Sequence, residues 1–187
     1  MKRSVSLLIL AVLLPGGIAG YFWWEQWRDH RYDEQILSAA KRYGVDPALV
    51  KAIVWRESRF NAMARGTKGE IGLMQLQELS AQEWADAEHI KTFAHEQCFD
   101  PTTNTLAGTR YLAKLLRRYT NTDDAVPYAL ADYNAGRSYV LKWNSGAAAT
   151  NSATFIGQIG FPGTKAYVNV VMRRLQHYRT QFPNQHP

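Results

Sequence analysis

Apolar side chains recur at helical spacing along most of the chain, and the densest such stretch, Asp46 to Ser58, opens with a helix start. Asp46 can cap free backbone N–H groups, and Pro47 suits the first helical position. At roughly 100° per residue counted from Leu49, Ile53 falls near ~40°, Val50 near ~100°, Val54 near ~140° and Glu57 near ~80°, inside the apolar arc. A carboxylate aimed there must be paired, hydrogen-bonded or protonated, because its charged form loses hydration. The helix alone leaves two readings open. Either Glu57 turns to solvent or pairs with Arg56 or Arg59, or it is an acid of raised pKa ready to donate a proton.

The same pattern predicts the remaining elements. Gln26 to Tyr43 reads as one amphipathic helix with Ile36, Leu37, Ala40 and Tyr43 on one side, closed by Gly44. A polar, glycine-bearing loop runs through Gly69 to Gly72-Leu73-Met74-Gln75-Leu76, and Ser80 to Cys98 reads as a short helix and a loop. Phe99-Asp100-Pro101 turns into a helix from Asn104 to Tyr119, with Leu112, Leu115 and Leu116 as core. Asp123 is placed to cap the next helix, which ends near Gly136, and Ser138 to Trp143 gives another helical turn or two. Residues 144–160, rich in Ser, Gly, Ala, Thr and Asn, read as a mobile surface loop. The last helix begins near Gly163-Thr164 and buries Tyr167, Val168, Val171, Met172 and Leu175. No stretch alternates convincingly as a strand does, so the expected class is all-α.

Length and charge refine this picture. At 187 residues and 46% hydrophobic, the chain accommodates one domain of ordinary size plus an appendage. The 22 Lys and Arg against 16 Asp and Glu give +6, which favours anionic partners without choosing among them. The appendage is residues 1–24. Lys2 and Arg3 precede an uncharged run from Ser4 to Trp24, about the length that crosses a bilayer. Pro15-Gly16-Gly17 and the small residues after it resemble a signal-peptide end. Tyr21-Phe22-Trp23-Trp24 instead looks like an interfacial aromatic belt, and the favoured reading is a retained anchor. Both readings put the remainder outside the cytoplasm, which argues against nucleic acid. Cys98 is the sole cysteine, so no intramolecular disulfide forms. His89, His95 and Cys98 match no familiar ligand spacing, and neither a metal nor a cofactor is expected.

Four blocks in order then carry a resemblance: Glu57-Ser58, Gly72-Leu73-Met74-Gln75, Tyr133-Asn134-Ala135-Gly136 and Tyr167-Val168. Together with Phe99-Asp100-Pro101 and Ala107-Gly108-Thr109-Arg110-Tyr111-Leu112, they resemble the lytic transglycosylase (SLT) domain family over roughly residues 34–180. Residues 25–33 would be a linker or helix start, and 181–187 a tail. The resemblance implies the α-helical lysozyme-like fold and non-hydrolytic cleavage of the MurNAc–GlcNAc β-1,4 bond of peptidoglycan, leaving 1,6-anhydro-MurNAc ends. It implies Glu57 as acid and then base, with the sugar's own C6 hydroxyl as nucleophile. Ser58 would help hold the N-acetyl group, Met74 and Gln75 would line the cleft, and Tyr133 and Asn134 would hydrogen-bond the sugars. Tyr167 would sit close to Glu57. The implied partners are glycan strands and, through the N-terminal segment, the inner membrane, with the domain on its periplasmic face.

The chain departs from the family pattern at three places. Glu70 stands where the family commonly has Ala, Asp132 precedes Tyr133 where many members have a small residue, and Gly163 replaces a frequent Glu. Both acids are read as solvated surface groups. If either activated water, the outcome would be hydrolysis, as in goose-type lysozymes of the same fold. A catalytically silent glycan-binding module is the remaining alternative, and the retained Glu57-Ser58 pair argues against it.

Overall fold

Asp46 does cap the central helix: in the computed structural model, which describes Gly17 and residues 20–182, its carboxylate accepts from Ala48 N at 2.9 Å. This helix (α3, Pro47–Ser58) is buried on nearly every side, not along one arc. Its lysine is buried too: Lys51 Nζ donates to Gln181 Oε1 at 2.9 Å and lies over the Tyr178 and Phe182 rings. Gln181 and Phe182, expected as the start of a tail, are therefore part of the packing around α3. A charge in such a place costs desolvation unless it is hydrogen-bonded, which the Gln181 amide provides. The helix stops abruptly because Arg59 and Phe60 both take left-handed backbone angles, φ 52° and 61°. That conformation is unfavourable for side chains with a Cβ, and it leaves Glu57 on the last turn, facing outward from a buried rod.

Around α3 the chain is helical: α2 (Asp33–Tyr43), α4 (Glu78–Ala87), α5 (Pro101–Arg118), α6 (Ala125–Ala135), α7 (Arg137–Trp143), α8 (Ser152–Gln158) and α9 (Pro162–Arg179). Two 3₁₀ turns, His95–Phe99 and Gly146–Ala149, complete the set, and residues 20–30 form a further helix (α1). The described residues contain no strand, only isolated bridges from Ile71 to Arg65 and Leu76. The all-α expectation stands. α9 lies antiparallel to α3, for Arg179 Nε meets Asp46 at 2.9 Å while Tyr167 reaches the other end of α3. Its buried face is Tyr167, Val168, Val171, Leu175 and Tyr178, with Met172 only half-buried.

Several sequence expectations need correction. The predicted helix 26–43 breaks at Arg31-Tyr32, where no Gly or Pro signals it; the Asp33 carboxylate meets the His30 ring at 2.7 Å across the turn. Asp124, not Asp123, caps α6, accepting from Val126 N at 2.9 Å. Asp123 instead receives the Ser152 backbone N–H and ties down the segment that follows. That segment is not a surface loop. It holds a 3₁₀ turn and α8, because Phe155 stacks on Tyr128 with centroids 4.0 Å apart and the Tyr128 hydroxyl donates to Ala148 O. Two apolar anchors among small polar residues outweigh a loop-like composition.

The chain divides into two compact units between Asp33 and Glu34. In the first, Tyr21, Phe22, Trp23 and Trp24 are helical and exposed. The expected anchor over 1–24 lies largely outside the described residues, and among those described no helix is long and apolar enough to cross a membrane.

Candidate active site

The end of α3, the Gly66–Gln77 loop, α5 and the end of α6 enclose a cleft of about 430 Å³. Glu57, Gln75, Tyr133 and Asn134, four of the residues singled out from sequence, line it, together with Glu70, Tyr111 and Asp132. Glu57 receives the Tyr167 hydroxyl on Oε1 at 2.6 Å. Burial is the largest influence on this acid and raises its pKa above the ordinary glutamate value. The Tyr167 hydrogen bond and the Arg56 charge pull it down, and Glu70 pushes it up again. Burial also drives the Tyr167 phenol well above its usual range, so Tyr167 stays a donor. Arg56 lies over the Tyr167 ring at 5.3 Å and steadies it from the solvent side.

The opposite wall depends on backbone that only glycine and one buried amide permit. At Gly72 φ is +80°, and a Cβ there would come within 2.1 Å of Asn104 Nδ2 and 2.4 Å of the Cys98 carbonyl. Asn104, fully buried on α5, accepts from Met74 N at 2.7 Å and donates to Ile71 O at 3.0 Å and Cys98 O at 2.8 Å. The Met74 carbonyl so fixed accepts the Tyr133 hydroxyl at 2.7 Å, which aims that ring across the cleft against Tyr111. Gln75, at φ 49°, donates its amide to Ala64 O and Gly72 O and closes the loop. Asn104 was missed in the sequence because it belongs to no catalytic motif. Its signal was a polar residue one helical turn from Ala107 and Gly108, on the face of α5 that packs inward.

The other expected residues sit as follows. The Met74 side chain is core, held close against Gly108, so its contribution to the cleft is through its backbone. Ser58 is buried and its hydroxyl donates to Val54 O at 3.1 Å. Asn134 Oδ1 accepts from Thr164 Oγ1 at 2.8 Å, which leaves its NH₂ as the donor side. Asp132 is not a solvated surface group: it is 2% exposed, with Oδ2 bound to Arg118 at 3.0 Å and the Tyr119 hydroxyl at 2.8 Å. Glu70 is half-buried and its carboxylate accepts the Lys68 backbone N–H at 2.9 Å. His95 Nε2 meets the Leu76 carbonyl, and burial pushes the Cys98 thiol up to about 12, so neither stands ready as a ligand.

A helical domain of this kind, with one raised-pKa carboxylic acid at a helix end facing a polar cleft, has the lysozyme-like architecture. The chain belongs to the transglycosylase SLT domain family, whose model matches residues 34–156. It is 34% identical over 113 residues to a membrane-bound lytic murein transglycosylase F of Desulfosudis oleivorans, covering 59% of this chain and 23% of that protein. It is 31% identical over 142 residues to a putative soluble lytic murein transglycosylase of Haemophilus influenzae, covering 75% and 23%. Among solved structures, the lytic transglycosylase Slt of Pseudomonas aeruginosa, in an inactive mutant form, superposes with a TM-score of 0.74 at 27% identity, covering 82% of this chain and 25% of that one. The chain thus spans about a quarter of the length of these relatives.

Proposed function

We propose that this domain is a peptidoglycan lytic transglycosylase that cleaves the MurNAc–GlcNAc β-1,4 bond without water. The observation that carries the reading is the pairing of one raised-pKa acid, Glu57, with the buried Tyr167 hydroxyl, while the nearby Asp132 is already occupied by Arg118 and Tyr119. Protonated Glu57 gives its proton to the glycosidic oxygen as the bond to C1 breaks. The carboxylate then takes the proton from the C6 hydroxyl as O6 bonds to C1, so no atom of water enters the product. An intramolecular attack needs mainly a fixed sugar pose, for which the Asn134 amide, Tyr133 and Gln75 are placed in the cleft. In this reading Ser58 and the Met74 backbone support the N-acetyl end of the site from behind.

Digestion of purified peptidoglycan in heavy-oxygen water, followed by mass spectrometry, tests the reaction. Unlabelled anhydro ends are expected. Label at the new reducing ends would mean that Glu70 or Asp132 activates water, and the domain would be a hydrolase.

The Tyr167 hydrogen bond stabilises the charged carboxylate, so Tyr167→Phe raises the Glu57 pKa further. The acid then stays protonated to higher pH, and the alkaline limb of the rate profile is expected to move up while the maximal rate falls, as the carboxyl loses its orienting partner. A limb that stays in place or moves down would disconnect Tyr167 from the reacting acid.

The domain works, on this reading, on the periplasmic side of the inner membrane, held there by residues 5–24. The Lys2-Arg3 flank and the four exposed aromatics from Tyr21 to Trp24 support it. N-terminal sequencing of the native protein checks this, since a mature chain beginning at Gly20 would replace the anchor with a cleaved signal.

A further inference from the structure

Beyond Gly136 the cleft wall passes directly into α7, and the first turn of α7 carries Tyr139. Phe161, the residue before α9, lies one turn ahead of Thr164, whose hydroxyl holds the cleft residue Asn134. The two rings meet at 4.6 Å, and both remain open to solvent, Tyr139 by 38% and Phe161 by 42%. Beneath them Trp143 is nearly buried, edge-on to Phe161 at 5.2 Å and stacked on Tyr139 at 6.0 Å. Gly160 allows this closeness, because a Cβ there would come within 2.9 Å of the Trp143 indole nitrogen. Isolated exposed aromatics are ordinary. A pair braced by a third ring, joined to a polar cleft by a few residues on each of two elements, is a built surface.

We propose that Tyr139 and Phe161 form an aromatic step that extends the cleft past Gly136 and stacks against a pyranose ring of the bound glycan. The proposal rests on the glycan-cleaving reading and deepens it by adding a subsite. The occupant follows from continuity: a polymer lying along Glu57, Asn134 and Gly136 continues over these rings. A pyranose presents axial C–H bonds with partial positive charge, which pack on the negative face of an aromatic ring. The Lys142 ammonium lies over the Tyr139 ring, 5.0 Å from its centroid, and a sugar stacking on that face displaces this exposed side chain toward its own hydroxyls. The step adds affinity for long strands without touching the reacting bond.

The test uses the full chain carrying Glu57→Gln, so that ligands survive, and β-1,4-linked GlcNAc oligomers from the disaccharide to the hexasaccharide as probes. Binding is followed by quenching of tryptophan fluorescence and by calorimetry. Affinity is expected to grow with oligomer length. Adding Tyr139→Leu and Phe161→Leu, which keep apolar contact with Trp143 but remove the flat faces, should weaken the hexasaccharide about tenfold, within the range known for base–aromatic stacking platforms. Disaccharide binding and the thermal unfolding midpoint should stay unchanged. Length-dependent binding that survives both substitutions overturns the step alone. A loss seen only with peptide-bearing glycan strands assigns the surface to the stem peptide and overturns the sugar proposal. Failure of the parent to bind both these oligomers and peptidoglycan glycan strands overturns the glycan reading and the step together.

Discussion

Glu57→Gln is expected to leave a folded protein that still binds glycan strands and releases no soluble fragments from them. The amide keeps the shape of the side chain and can still accept the Tyr167 hydroxyl, but it has no acidic proton to give. General acid–base catalysis is typically worth ~10²–10⁴-fold. Here the loss should reach at least the top of that range, because Asp132 is tied to Arg118 and Tyr119 and Glu70 to the Lys68 N–H. Stability should move the other way. The folded-state pKa of Glu57 is raised, so its contribution is fully present below the unfolded value and is lost as pH rises through the folded one. At neutral pH the Gln variant should therefore equal or exceed the parent in denaturant resistance, and the advantage should vanish in acid. A variant that kept a tenth of the activity would refute the role given to Glu57.

The largest expected loss of stability lies at Asn104. Asn104→Ala removes one amide and strands three backbone groups, Met74 N–H, Ile71 C=O and Cys98 C=O, in the interior. An unsatisfied buried polar group costs roughly 1–3 kcal/mol, so the three together come to about 3–9 kcal/mol. For a chain of this size that lowers the unfolding midpoint by on the order of 10 °C. Activity should fall as well, since the Met74 carbonyl that orients Tyr133 loses its support. Differential scanning calorimetry decides it; a drop below about 2 °C would mean that water or a neighbour satisfies the three groups.

The burial around Glu57 was legible because a helix wheel needs only spacing, but its role was left open there and came from the four blocks that resemble the family. Asp132 defeated the same reasoning. Its partners Arg118 and Tyr119 are distant in sequence from the motif it precedes, so nothing local distinguished a buried ion pair from a solvated acid. Residues 144–160 failed for a different reason. Composition weighs every residue equally, whereas one stacked ring at Phe155 fixes the whole segment. The fold class survived these errors because it depends on periodicity summed over many residues, whereas the surroundings of Asp132 and of Phe155 each rest on one or two tertiary contacts.

The clasp between α3 and α9 sets a limit on when this site can exist. Tyr167 lies 110 positions after Glu57, and Arg179 lies 133 positions after the helix cap Asp46. A chain emerging from the ribosome exposes the acid well before its partner, so a growing chain, or one cut before α9, carries Glu57 without the hydroxyl that aims it. Contacts so distant in sequence form late and slowly. The cleft acid is therefore left without its hydroxyl partner until α9 has docked on α3.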